Sequence, residues 1–269
     1  MKVSHEVPSC LLTASPEFND YDYCLPHLLD QDEDYLQYFK NAKEAGRYII
    51  MDNSLHELGK AYKHKRLLHW IKELEPNEFI VPDVWMQCAQ TAAQAKFWKQ
   101  YSGIYPETKF TAVIQGEDKN QAYLCASLLA NLGYNKLCVS YGATWYNDFF
   151  PHTNPDMGKA LGRVRFVQGL LNLNQLKDIK FHLLGCSIPQ EFSWYDSNPR
   201  IESIDTSNPI MAALEGTMYY EYGLNSKPKA NMNDHFDMAW EDVEYEDILH
   251  NTTLFREING IKKIDPYVY

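Results

Sequence analysis

The chain has 269 residues, with 25 Lys+Arg against 36 Asp+Glu and nine His, a net charge of −11 at pH 7 with the histidines neutral. That length buries a sizeable core in one large α/β domain or two smaller ones, and a composition 45% hydrophobic and 23% charged excludes a disordered or fibrous chain. The acidic balance argues against broad coating of a polyanion, while leaving room for a nucleic-acid enzyme whose positive charge is confined to one groove.

The N-terminal stretch carries one short apolar run, residues 10–14, which is shorter than a signal-peptide core. Similar β-rich runs follow at 48–51, 79–81, 110–114, 137–140, 181–184 and 201–204, each bounded by polar residues or Gly/Pro, as buried parallel strands are. Between them, 34–45, 61–74, 91–101, 120–132 and 157–173 carry apolar residues at helical spacing, and 242–258 predicts a last helix. No stretch approaches 18 uninterrupted apolar residues, so no membrane span is expected. The six cysteines are scattered without a CxxC pair, which points to reduced thiols in a cytoplasmic protein and away from zinc or disulfides. No HExxH, P-loop or dinucleotide fingerprint occurs, so neither a metal nor a cofactor is expected.

Seven strand–helix units and a final hairpin-like segment predict an α/β fold, a single (β/α)8 TIM barrel over residues 1–269 closed by a C-terminal helix. A doubly wound open sheet is the rival architecture. In a barrel the site lies at the C-terminal ends of the strands. Those ends present Asp52 and Asn53, with His56 and Glu57 nearby, then Asp83 and Trp85, Gln115 and Gly116, Tyr141 and Gly142, and Asp205. One carboxylate in such a ring can attack or stabilise an oxocarbenium ion while another shuttles a proton. Asp with Gln matches the donor and acceptor edge of a nucleobase, and Gly116 and Gly142 let backbone approach a flat ligand. The structural alternative is that Asp52-Asn53-Ser54 and Asp205-Thr206-Ser207 are helix N-caps. His182, flanked by Phe181 and Leu183, reads as a satisfied core histidine.

The motifs, in order, resemble the tRNA-guanine transglycosylase superfamily and its DNA-acting 7-deazaguanine relatives. Asp52, after the strand at 48–51, matches that family's acid/base aspartate, although the Ser and two glycines that follow it there are Asn53, Ser54 and Leu55 here. VPDVW resembles the family's Ala-Phe-Asp-Glu-Cys segment and places Asp83 on the base-recognising aspartate. VIQGE resembles Val-Gln-Gly-Gly and places Gln115 on the base-recognising glutamine. SYGATW stands where a glycine loop lends backbone amides, which makes Gly142 the candidate there. HLLGCSIPQEF is similar to Tyr-Leu-Met-Gly-Val-Gly-x-Pro-Glu-Asp-Leu, and IESIDTSNP to Asp-Met-Phe-Asp-Cys-Val-x-Pro, which places Asp205 on the nucleophile.

The resemblance implies cleavage of the N-glycosidic bond of a modified base in DNA, flipped or single-stranded, by excision or by exchange with a free base as second substrate. The Cys-x-Cys-x-x-Cys…His zinc subdomain of the tRNA-acting members has no counterpart here, which weakens RNA base exchange as the alternative; a small-molecule nucleosidase and a non-catalytic base-binding barrel are the others. Trp85 or Tyr141 would stack on the base. Lys63, Lys65 and Arg66, beside Lys60, and Lys227 and Lys229 are the candidate phosphate contacts. A compact enzyme of this kind suits phage DNA modification or antiviral defence.

Overall fold

The structure, a computed structural model, describes residues 1–220 and 232–264. Eight parallel strands form one sheet: β1 (Lys2–Ser4), β2 (Asp22–Cys24), β3 (Ile49–Met51), β4 (Glu78–Ile80), β5 (Lys109–Ile114), β6 (Lys136–Ser140), β7 (Lys180–Leu184) and β8 (Ile201–Asp205). Their order is β1-β8-β7-β6-β5-β4-β3-β2, so the sheet curls until its two ends, β1 and β2, face one another. Asn19 and Asp20 bridge that seam. Asp20 N donates to Val3 O at 2.9 Å, Val3 N to Asp20 Oδ2 at 2.7 Å, and His5 N to Asn19 Oδ1 at 2.6 Å. The result is the expected (β/α)8 barrel.

The expected strand at 10–14 is instead a short 3-10 turn, Ser9–Leu11, that tucks Leu11 and Leu12 into the core. A short apolar run fits a buried turn as well as a strand, and Pro8 before it disfavours a ladder. The barrel gains its missing strands from β1 and β2, not from a hairpin near the C-terminus: the described residues 216–220 carry no strand, and 221–231 lie outside the described residues. Three-residue β1 and polar β2, whose Asp22 is paired with Arg47 at 2.8 Å, leave almost no hydrophobic trace in the sequence.

Helices α1 (Glu33–Glu44), α2 (Leu55–Leu58), α3 (His64–Leu74), α4 (Cys88–Lys99), α5 (Lys119–Asn131), α6 (Tyr146–Phe149), α7 (Pro155–Asn172), α8 (Asn208–Leu214) and α9 (Tyr245–Ile258) follow the strands. Side-chain caps start three of them: Asp32 accepts from Tyr35 N, Asp118 from Asn120 N and Gln121 N, and Asn154 from Asp156 N and Met157 N. On α3 the buried residues Leu67, Trp70, Ile71 and Leu74 recur at helical spacing and face the sheet. No α-helix separates β1 from β2, or β7 from β8. α9 closes that side: Phe255 packs edge-on against His5, Arg256 reaches Phe18 O and Asp20, and Asn259 reaches Pro189 O. No helix among the described residues is long and apolar enough to cross a membrane.

Strand alternation sorts the side chains into two cores. Ile49, Met51, Phe79, Val81, Ala112, Ile114, Leu137, Val139, Phe181, Leu183 and Ile204 pack outward under the helices. Tyr21, Ile50, Ile80, Val113 and Cys138 form a small plug inside the barrel. Counting by twos from that plug, Asp52, Glu78, Lys136, His182, Ser203 and Asp205 share the inward face. All are buried, which makes the barrel interior polar at both ends of the plug.

Candidate functional site

A cavity of about 340 Å³ opens where the strands end, and Asp52, Asn53, Asp83, Trp85, Gln115, Tyr141, Gly142 and Asp205 all line it. The sheet register brings them together: Leu184 on β7 stands opposite Asp205 on β8 and Ser140 on β6, while Asp52 N donates to Cys24 O at the end of β2. An adjoining hollow of about 400 Å³ shares Asp83 and Trp85 and carries Lys60 on its wall. Trp85 is 53% exposed between the two, a free aromatic face for a flat ligand.

Neither motif caps its helix through a side chain: the N-cap residues of α2 and α8 are Ser54 and Ser207, and neither makes a side-chain cap bond. Asp52 Oδ2 accepts from Ser54 N at 2.8 Å and Asn53 Oδ1 from Leu55 N at 2.9 Å, turns that lead the chain into α2. The rest of Asn53 reaches into the site, where its amide donates to Asp83 Oδ1 at 2.9 Å. Gln115 donates to Asp83 Oδ2 at 2.7 Å and accepts from Met86 N at 2.9 Å. Asn53, Asp83 and Gln115 are thus one buried hydrogen-bonded set from three loops, able to present mixed donors and acceptors to a base edge. Asp205 caps nothing; Thr206 Oγ1 takes the N–H of Asn208, at the start of α8, at 3.1 Å.

Burial dominates the electrostatics. It pushes the Asp83 carboxyl up to about 6, against the lowering effect of Gln115 and Asn53. It pushes Asp52 up to about 6, assisted by the charge of Asp205 and opposed by the Asn53 and Ser54 amides and the Tyr23 hydroxyl. Asp205 rises to about 7, again from burial, with the Gly185 amide and the Arg163 charge pulling the other way. Glu57 is raised well above its ordinary value by burial and by the charges of Glu6, Asp52 and Asp205. Such a set gives up its protons one at a time as pH approaches neutrality, Asp52 and Asp83 before Asp205, so protonated and ionised carboxyls stand side by side in one cavity.

Several contributors had no legible signal. Glu6, two residues past β1, and Tyr23 on β2 line the cavity from the side of the two strands that the apolar pattern conceals. His182 is buried and satisfied, as expected of a core histidine, but its Nε2 lies 2.8 Å from Asp205 Oδ1. The two glycines serve different ends. A Cβ on Gly116 would lie 2.5 Å from Ala122 N, so its bareness admits α5, and it is not part of the cavity wall. Gly142 does line the cavity, with a Cβ there meeting Ser140 Oγ at 3.3 Å.

Among the basic residues, Arg66 is committed to Asp30 and packs over Trp70, so it is not a free phosphate contact. Lys63 and Lys65 are exposed at the start of α3, and Lys159 on α7 stands 4.9 Å from the Tyr141 ring centre. Lys227 and Lys229 lie outside the described residues. No cluster of three or more His, Cys, Asp or Glu among the described residues is arranged to hold a metal ion.

One glycine missing from the expected set is decisive for the wall. Gly185 has φ +61°, and a Cβ there would lie 2.4 Å from Tyr141 Cδ1. Gly185→Ala is expected to cost about 1–2 kcal/mol for the left-handed backbone alone and to displace Tyr141. A lowered Tm together with a raised KM for the ligand checks it; an unchanged Tm would show that the turn relaxes freely.

No protein-family model matches this chain, and no curated protein matches it.

Proposed function

We propose that this cavity cleaves the N-glycosidic bond of a nucleobase in DNA. Asp205 attacks C1′ or stabilises its cationic character, Asp52 manages the proton, and Asp83 with Gln115 and Asn53 holds the base edge while Trp85 or Tyr141 stacks on it. The observation that carries this reading is the pair Asp52 and Asp205, both buried, both raised in pKa and both on the wall of one base-sized cavity. Asp52 and Asp205 interact through their charges, so the pair holds one proton between them: with that proton on Asp52 the leaving base is protonated while Asp205, ionised, meets the sugar carbon. Water then releases the sugar and leaves an abasic site, or a free base takes its place.

Lys60 on the wall of the hollow, Lys63 and Lys65 on either side of the His64 that lines it, and Lys159 over the Tyr141 ring support a polymer substrate. A second reading, hydrolysis of a free nucleoside, is favoured by Glu6 and Glu57, acidic side chains on the same wall that offer a phosphate no counter-charge. Incubation with unmodified and hypermodified DNA, followed by mass spectrometry of released bases, tests the first reading. Release should fall steeply as salt is raised. Activity on nucleosides that ignores both chain length and salt would replace DNA with the small molecule, and activity on tRNA alone would replace it with RNA.

A further inference from the structure

Below the cavity floor, a line of buried side chains runs through the barrel to Asp205. Lys136 Nζ on β6 lies 2.8 Å from Glu78 Oε1 on β4 and 3.0 Å from Ser203 Oγ on β8. Ser203 Oγ lies 2.8 Å from His182 Nδ1 on β7, and His182 Nε2 lies 2.8 Å from Asp205 Oδ1. None of Glu78, Lys136, His182 and Ser203 is more than 4% exposed. A register shift between Phe181 and His182 brings Ser203 level with His182, the local re-aiming that a β-bulge provides.

The Asp205 end fixes the direction of this line. An ionised Asp205 can only accept, so the single ring proton of a neutral His182 sits on Nε2. Nδ1 then carries the lone pair and takes the Ser203 hydroxyl proton, while Ser203 Oγ accepts from Lys136. Burial holds the imidazole down to about 3, with the positive Lys136 and Arg163 lowering it further and Glu78 and the Ser203 backbone pulling the other way. Tyr21 packs edge-on to the ring and Tyr23 lies parallel to it at 6.2 Å.

We propose that His182 is a positioning residue for the reaction proposed above: fixed as its Nε2–H tautomer by the Glu78–Lys136–Ser203 line, it holds Asp205 Oδ1 and leaves Oδ2 as the oxygen available to C1′. This rests on the functional reading of Asp205 but has signatures independent of it. No proton passes to His182, because Nε2 already bears one and Nδ1 is occupied. Its bond to Asp205 persists as the carboxylate is neutralised by the sugar and restored by water.

The test uses the full chain, with ¹⁵N-labelled histidine and ¹³C-labelled aspartate followed by NMR, and base release assayed in parallel. The wild type should show the Nε2–H tautomer, with His182 uncharged down to about pH 4. His182→Leu should raise the Asp205 titration by about one pH unit, since a donor to its charged form is gone. The same variant should lower kcat about 10²-fold with KM within about twofold, and His182→Gln, which returns an N–H at the Nε2 position, should recover most of it. Ser203→Ala, a smaller change that keeps the Glu78–Lys136 pair, should mix the tautomers. If no substrate releases a base while the tautomer and the Asp205 shift are found, the positioning inference stands and the functional reading falls. If His182→Leu releases bases at the wild-type rate with the Asp205 titration unmoved, the inference is overturned and the functional reading stands.

Discussion

Asp205→Asn is expected to abolish base release, by on the order of 10⁴-fold, while making the protein more resistant to heat above pH 7. The amide cannot attack C1′ or balance its positive charge, yet its oxygen still accepts from His182 Nε2 at the place Oδ1 occupies now. The gain in stability follows from linkage. Burial raises Asp205 from 3.8 to about 7, so between those values the folded protein keeps a proton that the unfolded chain has released. Stability therefore falls as pH rises through that window, and above it the full penalty of a buried carboxylate remains, on the order of a few kcal/mol. The variant removes that penalty. Its Tm advantage should be near zero at pH 4 and reach several °C at pH 8, checked by thermal melts of both proteins across the range. A variant that is inactive and no more stable at pH 8 would mean that Asp205 is not the strained carboxyl. Asp52→Asn should cost less activity, about 10²–10⁴-fold, the range of a lost proton shuttle.

Arg163→Ala is expected to cost about 3–5 kcal/mol and to lower Tm by about 10 °C. Arg163 and Glu191 are both fully buried and paired, and Glu191 also accepts from the Tyr195 hydroxyl at 2.7 Å. The guanidinium donates to Leu184 O at 2.8 Å and Gly185 O at 2.7 Å, the turn that leaves β7 for the cavity wall. Its loss leaves a buried charge on Glu191 and two strand-end carbonyls without their donor. Because that turn also carries the Gly185 amide that lowers Asp205, the damage should extend to the site, with a weaker kcat even well below the melting temperature. The double variant Arg163→Met/Glu191→Leu, which removes both charges, should recover most of the stability. Denaturant unfolding of the three proteins decides it: a double variant as unstable as the single one would show that the pair is valued for its hydrogen bonds, not for its charge balance.

What was legible in the chain was a matter of period and place. Runs such as 110–114 and 201–204 announce buried strands through β-branched and aromatic residues, and the residue just past each strand must face the barrel mouth. That reasoning alone puts Asp52, Asp83, Gln115 and Asp205 on one rim, and all four line one cavity. It fails for β1 and β2, where three residues or a paired Asp22 leave no run to find, and for 10–14, where an apolar run folds as a turn.

The sequence by itself determined the alternation of faces, hence which side chains enter the barrel and which strand ends meet, because backbone geometry repeats every two residues whatever the neighbours are. The tertiary structure alone decided what those side chains do. Lys136 meets Glu78 across 58 residues of chain and Ser203 across 67, an ion pair between two residues that each stand one place before a run read as apolar. His182 meets Asp205 across 23 residues, and no local pattern distinguishes it from an ordinary core histidine. The raised carboxyls have the same origin. Charge is written in the chain, but its cost is set by how much water the folded barrel leaves around it.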